Sequence, residues 1–233
     1  MKCEICPRKC RADRENNEKG FCQMPYAPVV ARASLHMWEE PCISGKNGSG
    51  TIFFSGCSLK CVFCQNYEIS HDNFGKEITE ERLVEIMREL IEKGAHNINF
   101  VNPTHYSHIL KKILEKYDFS VPIVYNCSGY EDEKTLKSLE GLVDIFVTDL
   151  KYFSPEKSKK YSLCENYFEV AKKAVFEMKR QQPKDIFDEN SLMKKGVIIR
   201  HLVLPNNLDE TENILSFIKN NLPKDTVVSL MSQ

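Results

Sequence analysis

Three cysteines, Cys57, Cys61 and Cys64, lie within the eleven residues Gly56-Cys57-Ser58-Leu59-Lys60-Cys61-Val62-Phe63-Cys64-Gln65-Asn66, at CxxxCxxC spacing. Thiolates select soft metal centres, so the spacing points to an iron–sulfur cluster or to zinc. The number of ligands is informative. A cubane [4Fe–4S] cluster held by three cysteines leaves one iron open to a further ligand, as catalytic zinc keeps open a position that structural zinc closes. The competing readings are a zinc knuckle completed by a distant Cys or His, and buried free thiols. The spacing, the aromatic Phe63 and the place directly after the apolar run Thr51-Ile52-Phe53-Phe54 favour the cluster. A second group, Cys3, Cys6, Cys10 and Cys22, puts four thiols near the N-terminus. It could close a tetrahedral zinc site or hold a second iron–sulfur cluster. Arg8, Lys9, Arg11 and Arg14 stand among these cysteines and could dock a partner or simply solubilise the segment. Cys42, Cys127 and Cys164 have no evident partner and read as small buried hydrophobes.

The elements that must position these groups follow from periodicity. Thr51–Phe54, Asn97–Val101, Val121–Tyr125, Asp144–Val147, Val197–Leu204 and Thr226–Leu230 read as strands. Helix-period segments fall between them: Thr79–Lys93, with Thr79 as N-cap, His105–Lys116, Glu133–Leu139, one long helix over Pro155–Arg180, and Glu210–Asn221. Gln181–Lys195 reads as a surface loop. Six strands alternating with helices predict an α/β fold on a parallel sheet, open or curled into a partial barrel. The first fifty residues do not share the pattern, so residues 1–45 are expected to form a Cys-rich N-terminal segment and residues 46–233 the core domain.

In such folds ligands bind at the carboxyl ends of the strands. This selects Asn102 and Thr104 after the second strand, Asn126 and Ser128 after the third, and Asp149 and Lys151 after the fourth. Arg200 and His201 interrupt the fifth strand. Neighbours on a strand face opposite ways, and Arg200 is the one expected to face inward, as a partner for a ligand carboxylate. The plainer readings are an Asp149 that caps the next segment, a solvated Lys151, and an Arg200 paired with a structural carboxylate. His36, His71, His96 and His108 read as surface or internally satisfied residues, and Gly48-Ser49-Gly50, lacking the Lys-Ser/Thr of a P-loop, as a turn.

Composition sets the outer limits. With 233 residues, 42% hydrophobic and 28% charged, the chain can build a sizeable core and is not a disordered protein. A net charge of −1 excludes a general nucleic-acid footprint, and no apolar run is long enough for a membrane span. The N-terminus has no signal-peptide pattern. Ten cysteines in a reducing compartment speak for metal chemistry over disulfides, so a cytoplasmic location is expected.

The CxxxCxxC motif with an aromatic residue before its third cysteine resembles the signature of the radical S-adenosylmethionine superfamily. The stretch Gly48–Cys57 and the later Asp149-Leu150-Lys151-Tyr152-Phe153 are similar to the subgroup related to pyruvate formate-lyase activating enzyme. The resemblance implies a partial (β/α)6 barrel of the radical SAM type, a [4Fe–4S] cluster on Cys57, Cys61 and Cys64, and S-adenosyl-L-methionine chelating the open iron. An electron from the cluster would cleave the sulfonium, and the 5′-deoxyadenosyl radical would abstract a hydrogen atom. It places Asp149 and Lys151 near the cofactor. The family's Gly-Gly-Glu-like contact is absent, so Asn102 or Thr104 would substitute. It implies a glycyl-radical enzyme as protein substrate and an electron donor such as flavodoxin or ferredoxin. A small molecule, a peptide or RNA is the alternative substrate, and a non-catalytic iron–sulfur or zinc protein the third reading. Relatives of the subgroup carry a similar N-terminal Cys-rich segment and extend beyond the point where Leu230-Met231-Ser232-Gln233 ends.

Overall fold

The computed structural model describes residues 2–232. Its strands are β1 (Val29–His36), β2 (Ser49–Phe54), β3 (Lys76–Glu77), β4 (Ile98–Val101), β5 (Ile123–Cys127), β6 (Ile145–Asp149), β7 (Ile186–Phe187), β8 (Met193–Val203) and β9 (Val227–Ser232). The helices are α1 (Pro41–Ser44), α2 (Tyr67–Ser70), α3 (Glu80–Glu92), α4 (Ser107–Lys116), α5 (Glu133–Lys137), α6 (Pro155–Ser162), α7 (Tyr167–Gln181) and α8 (Leu208–Asn221).

β2, β4, β5, β6, β8 and β9 pair in parallel in that order, the six strands read from the sequence. They form the partial (β/α)6 barrel. β1 extends it antiparallel to β2, β3 pairs with β1, and the short β7 pairs antiparallel with β8. Alternation along each strand separates two apolar layers. Tyr125, Phe146, Val197 and Ile199 face outward onto Ala171, Ala174, Val175 and Met178 of α7. Ile98 and Phe100 likewise meet Leu83, Met87 and Leu90 of α3. Val124, Ile145, Val147 and Ile198 face inward and pack with Ile43 of α1. That apolar plug fills the lower barrel and leaves its upper end to polar side chains. Thr79 caps α3 by accepting the Arg82 N–H at 3.1 Å, a bond worth about 1 kcal/mol.

Three expectations are corrected. The first fifty residues hold a full strand, β1, so the boundary expected at residue 45 separates β1 from the β2 strand it pairs with. Gln181–Lys195, read as a loop, contains β7 and the start of β8. The single helix over Pro155–Arg180 is two, broken at Leu163, whose φ of 52° is left-handed. The break has a physical reason. The carbonyls that end α6 are taken by the Cys57–Cys64 loop: Val62 N–H donates to Tyr161 O at 2.9 Å and Lys60 N–H to Ser162 O at 3.4 Å.

The N-terminal segment is docked on the barrel. Arg14, only 3% exposed, donates to the carbonyls of Pro25 and His105, the latter at 2.7 Å, and its guanidinium lies over the Tyr106 ring. Thr135 Oγ1 donates to Ile5 O at 2.7 Å.

Candidate active site

The upper ends of the parallel strands enclose a cavity of about 560 Å³. Its wall gathers Cys57, Cys61, Cys64, Asn102, Asn126, Ser128, Asp149, Lys151 and Arg200, residues from five different segments of the chain.

The cysteine loop leaves β2 through Gly56, where φ is +75° and an added Cβ would lie 2.6 Å from Cys22 O, so only glycine fits. Each thiol has a donor. Leu59 N–H donates to Cys57 Sγ at 3.3 Å, Ser162 Oγ to Cys61 Sγ at 2.9 Å and Ser70 Oγ to Cys64 Sγ at 3.2 Å. Such donors stabilise thiolates bound to iron. Burial, then repulsion from Cys61, pushes the Cys57 thiol up to about 12, and burial raises Cys61 as well. Both sulfurs therefore stay protonated until a metal replaces the proton. Among the described residues no group of three or more His, Cys, Asp or Glu converges on the position of a single metal ion. The three thiols line the cavity together, and three thiolates beside open space are a donor set that suits a cluster with one open iron.

Opposite them lies a buried charged group. Asp149 Oδ2 accepts from Lys151 Nζ at 2.5 Å, and its Oδ1 accepts from Arg200 Nε at 2.9 Å. Arg200 Nη2 donates to Asn126 Oδ1 at 2.8 Å, while Nη1 stands 3.6 Å from Glu39 Oε2. Asn126 Nδ2 closes the ring on Glu39 at 3.3 Å. Burial pushes the Asp149 carboxyl up, but Lys151 and Arg200 overcome it and hold the group below the usual carboxylate range. Burial raises Glu39 against the pull of Arg200. Lys151 and Arg200 thus face Asp149, Glu39 and Glu40 in a largely buried wall of the cavity. Ser128 Oγ and Glu40 Oε2, both in this wall, are buried with no hydrogen-bond partner. Orphaned buried polar atoms of this kind suit a polar ligand such as the amino acid end of adenosylmethionine.

Asn102 adopts a left-handed φ of 58°, faces Cys57 Sγ at 3.5 Å and donates through Nδ2 to Gly56 O, tying the end of β4 to the cysteine loop. Thr104 is not at the site. It is fully buried outside the cavity and donates to Glu131 Oε1 at 2.7 Å. His201 faces away from Arg200 as expected, engaged with Leu150 O at 2.7 Å and Thr211 Oγ1 at 2.9 Å. His36, expected to be bland, lines the cavity, and neither ring nitrogen of the largely buried His108 has a partner.

Sequence reasoning missed β1 and the segment that follows it. Arg32, His36, Trp38, Glu39 and Glu40 all line the cavity, with Trp38 at the rim and 87% exposed. The signal was present: the chain's one tryptophan followed by two acids.

The chain is 35% identical over 240 residues to the uncharacterized protein MJ0674 of Methanocaldococcus jannaschii, covering 99% of this chain and 65% of that protein. A second protein of that organism, the uncharacterized MJ0808, is 24% identical over 256 residues, covering 97% of this chain and 68% of that one. The chain therefore spans about two thirds of the length of either relative. Among solved structures, methylornithine synthase (PylB) superposes with a TM-score of 0.53 at 17% identity, covering 78% of this chain and 52% of that one, which is a likeness of fold. Residues 51–218, most of the barrel and the whole cysteine loop, match the family model of the Radical SAM superfamily, and the chain is a member of that superfamily.

Proposed function

We propose that this chain binds a [4Fe–4S] cluster through Cys57, Cys61 and Cys64, binds S-adenosyl-L-methionine beside it, and uses them to abstract a hydrogen atom from a glycine of a partner glycyl-radical enzyme. One observation carries the reading: the three thiols and the Asp149–Lys151–Arg200 group share one cavity at the carboxyl ends of the barrel strands. When bound, the cluster supplies the electron for reductive cleavage of the sulfonium. The chain's own residues do the rest. Asn102 holds the loop of Cys57 in place. Arg200 would meet the cofactor carboxylate, with Asp149 orienting the guanidinium and Lys151. Ser128 Oγ and Glu40 Oε2 are available to the amino group. A flavodoxin- or ferredoxin-like donor would supply the electron, in the cytoplasm, where ten free cysteines persist. The four N-terminal thiols are read as a second metal site.

A second reading keeps the radical chemistry and changes the substrate to a small molecule or peptide. It is favoured by the size of the cavity, which falls in the range of small-molecule sites, and by the likeness to a methylornithine synthase. The test is electron paramagnetic resonance on the reduced protein, adenosylmethionine and glycyl-radical enzymes from the same cell. A protein-centred glycyl signal supports activation. Cofactor cleavage with every such enzyme left radical-free overturns it in favour of the second reading.

A further inference from the structure

We infer that His71 is a positioning residue for the cluster. It carries its ring proton on Nδ1, donates it to the Ser70 hydroxyl, and so turns that hydroxyl's own proton onto Cys64. The inference rests on the reading that Cys57, Cys61 and Cys64 hold a [4Fe–4S] cluster, and adds a residue that sets how strongly that cluster reduces.

Ser70 closes α2, the short helix that follows the cysteine loop. Two bonds tie the end of this helix to that loop: Gly56 N–H donates to Ile69 O at 2.9 Å, and Lys60 Nζ to Ser70 O at 2.7 Å. The Ser70 side chain is thereby fixed beside Cys64, and the rotation of its hydroxyl is what remains to be set. Three polar atoms lie around Ser70 Oγ: His71 Nδ1 at 2.8 Å, Cys64 Sγ at 3.2 Å and Tyr67 O at 3.4 Å. A hydroxyl has one proton to give and lone pairs with which to accept.

Chemistry orders the three. A thiolate bound to iron is a charged acceptor, and a hydrogen bond to a charged group is about twice as strong as one to a neutral ring nitrogen. Tyr67 O is the farthest of the three and already accepts from the His71 N–H at 2.7 Å. The Ser70 proton therefore goes to Cys64, its oxygen accepts, and Nδ1 at 2.8 Å is the neighbour left to donate. Burial, then the Lys60 ammonium, lowers the His71 pKa, so above neutral pH the ring has a single N–H to place. Bonds in such a chain strengthen one another.

The ring is held for this task. Tyr67 stacks on it with centroids 4.1 Å apart and planes at 12°. A similar arrangement serves a second ligand: Ser162 Oγ donates to Cys61 Sγ at 2.9 Å and lies 2.6 Å from Tyr152 OH. Two of the three cluster thiols thus meet a serine hydroxyl with a polar ring group directly behind it. At Cys64 that group belongs to the half-buried His71, on a segment local to the loop.

Redox titration of cluster-loaded protein at about pH 8, followed by paramagnetic resonance, tests the inference, with iron and sulfide counted in every sample. Ser70→Ala should shift the ratio of oxidised to reduced cluster at a fixed potential by about tenfold, which places the one-electron couple about 59 mV more negative. His71→Phe keeps a ring on Tyr67 but has no Nδ1, and should move the couple the same way by roughly three- to tenfold. The double variant should go no further than Ser70→Ala, because His71 acts through Ser70. His71→Gln, whose amide can donate, should recover part of the shift. If His71→Phe fails to hold its iron, Tyr67→Leu, which frees the ring from its stack, takes its place and should shift the same way. An unchanged potential in these variants, or shifts that simply add in the double variant, overturns the inference. A positive shift in His71→Phe also overturns it, since the ring would then have been drawing the Ser70 proton away from Cys64. Wild-type protein that assembles no cluster on the three cysteines overturns the reading beneath it instead.

Discussion

Asp149 and Arg200 are register partners on the neighbouring parallel strands β6 and β8, and the guanidinium Nε donates to the carboxylate at 2.9 Å. Residues in register on adjacent strands project to the same face, so pairing of the two strands alone brings both charges to the cavity. Lys151, two residues on, completes the group. Asp149→Asn removes the carboxylate that Lys151 and Arg200 both contact and leaves them with only Glu39 and Glu40 as nearby acids. Adenosylmethionine cleavage should fall by about 10²-fold from misplaced cations. The fold should lose about 3 kcal/mol from uncompensated buried charge. Deoxyadenosine assays and denaturant titrations check the two effects separately.

Ser162 Oγ donates to Cys61 Sγ at 2.9 Å. Hydrogen bonds to cluster sulfurs stabilise the more negative, reduced state. Ser162→Ala should therefore retain iron but move the cluster to a more negative potential, as read by a redox titration followed by paramagnetic resonance. An unchanged potential would mean that this donor does not reach a ligating sulfur.

Much of this arrangement was legible in the sequence, for physical reasons. CxxxCxxC spacing is local, and the apolar runs of six buried parallel strands differ plainly from the 3.6-residue periods between them. Placing Asp149, Lys151 and Arg200 at strand ends then followed from topology. Thr104 was misplaced because one residue beyond a strand end the chain turns. A short 3-10 helix at Thr104–Tyr106 directs its hydroxyl to the buried Glu131 instead. Glu39 and Trp38 were missed because they reach the cavity through an antiparallel strand that joins the barrel from outside the alternating pattern. The break at Leu163 was hidden for a similar reason. It serves hydrogen bonds to Lys60 and Val62, about a hundred residues away, which no local propensity records.

Glu131 is fully buried, accepting from Thr104 Oγ1 at 2.7 Å and Tyr125 OH at 3.0 Å. Burial, partly offset by these bonds, raises its carboxyl from 4.5 to about 7. A carboxyl raised on folding stabilises the folded state most below its unfolded value, and that stability is lost as pH rises through the folded one. Between those two values the wild type should lose roughly 3 kcal/mol more than Glu131→Gln. Denaturant midpoints of both proteins at about pH 5 and about pH 8, in the same metal-loaded state, measure the difference. Parallel slopes for the two proteins would contradict the assignment.

Arg14 is buried against Pro25 O, His105 O and the Tyr106 ring, joining the N-terminal segment to the end of β4. Arg14→Ala strips both carbonyls of their donor and should cost about 2–4 kcal/mol. A lower denaturant midpoint with an unchanged slope is the expected signature. A lower slope as well would show that the N-terminal segment had come away from the barrel.

Cys57, Cys61 and Cys64 line the cavity in which adenosylmethionine is proposed to be cleaved. The most direct measurement is 5′-deoxyadenosine released by anaerobically reconstituted, reduced protein, set against a Cys61→Ala control. Product is expected from the wild type and none above background from the control. A wild-type protein that holds its [4Fe–4S] cluster, binds adenosylmethionine and yields no deoxyadenosine would contradict it.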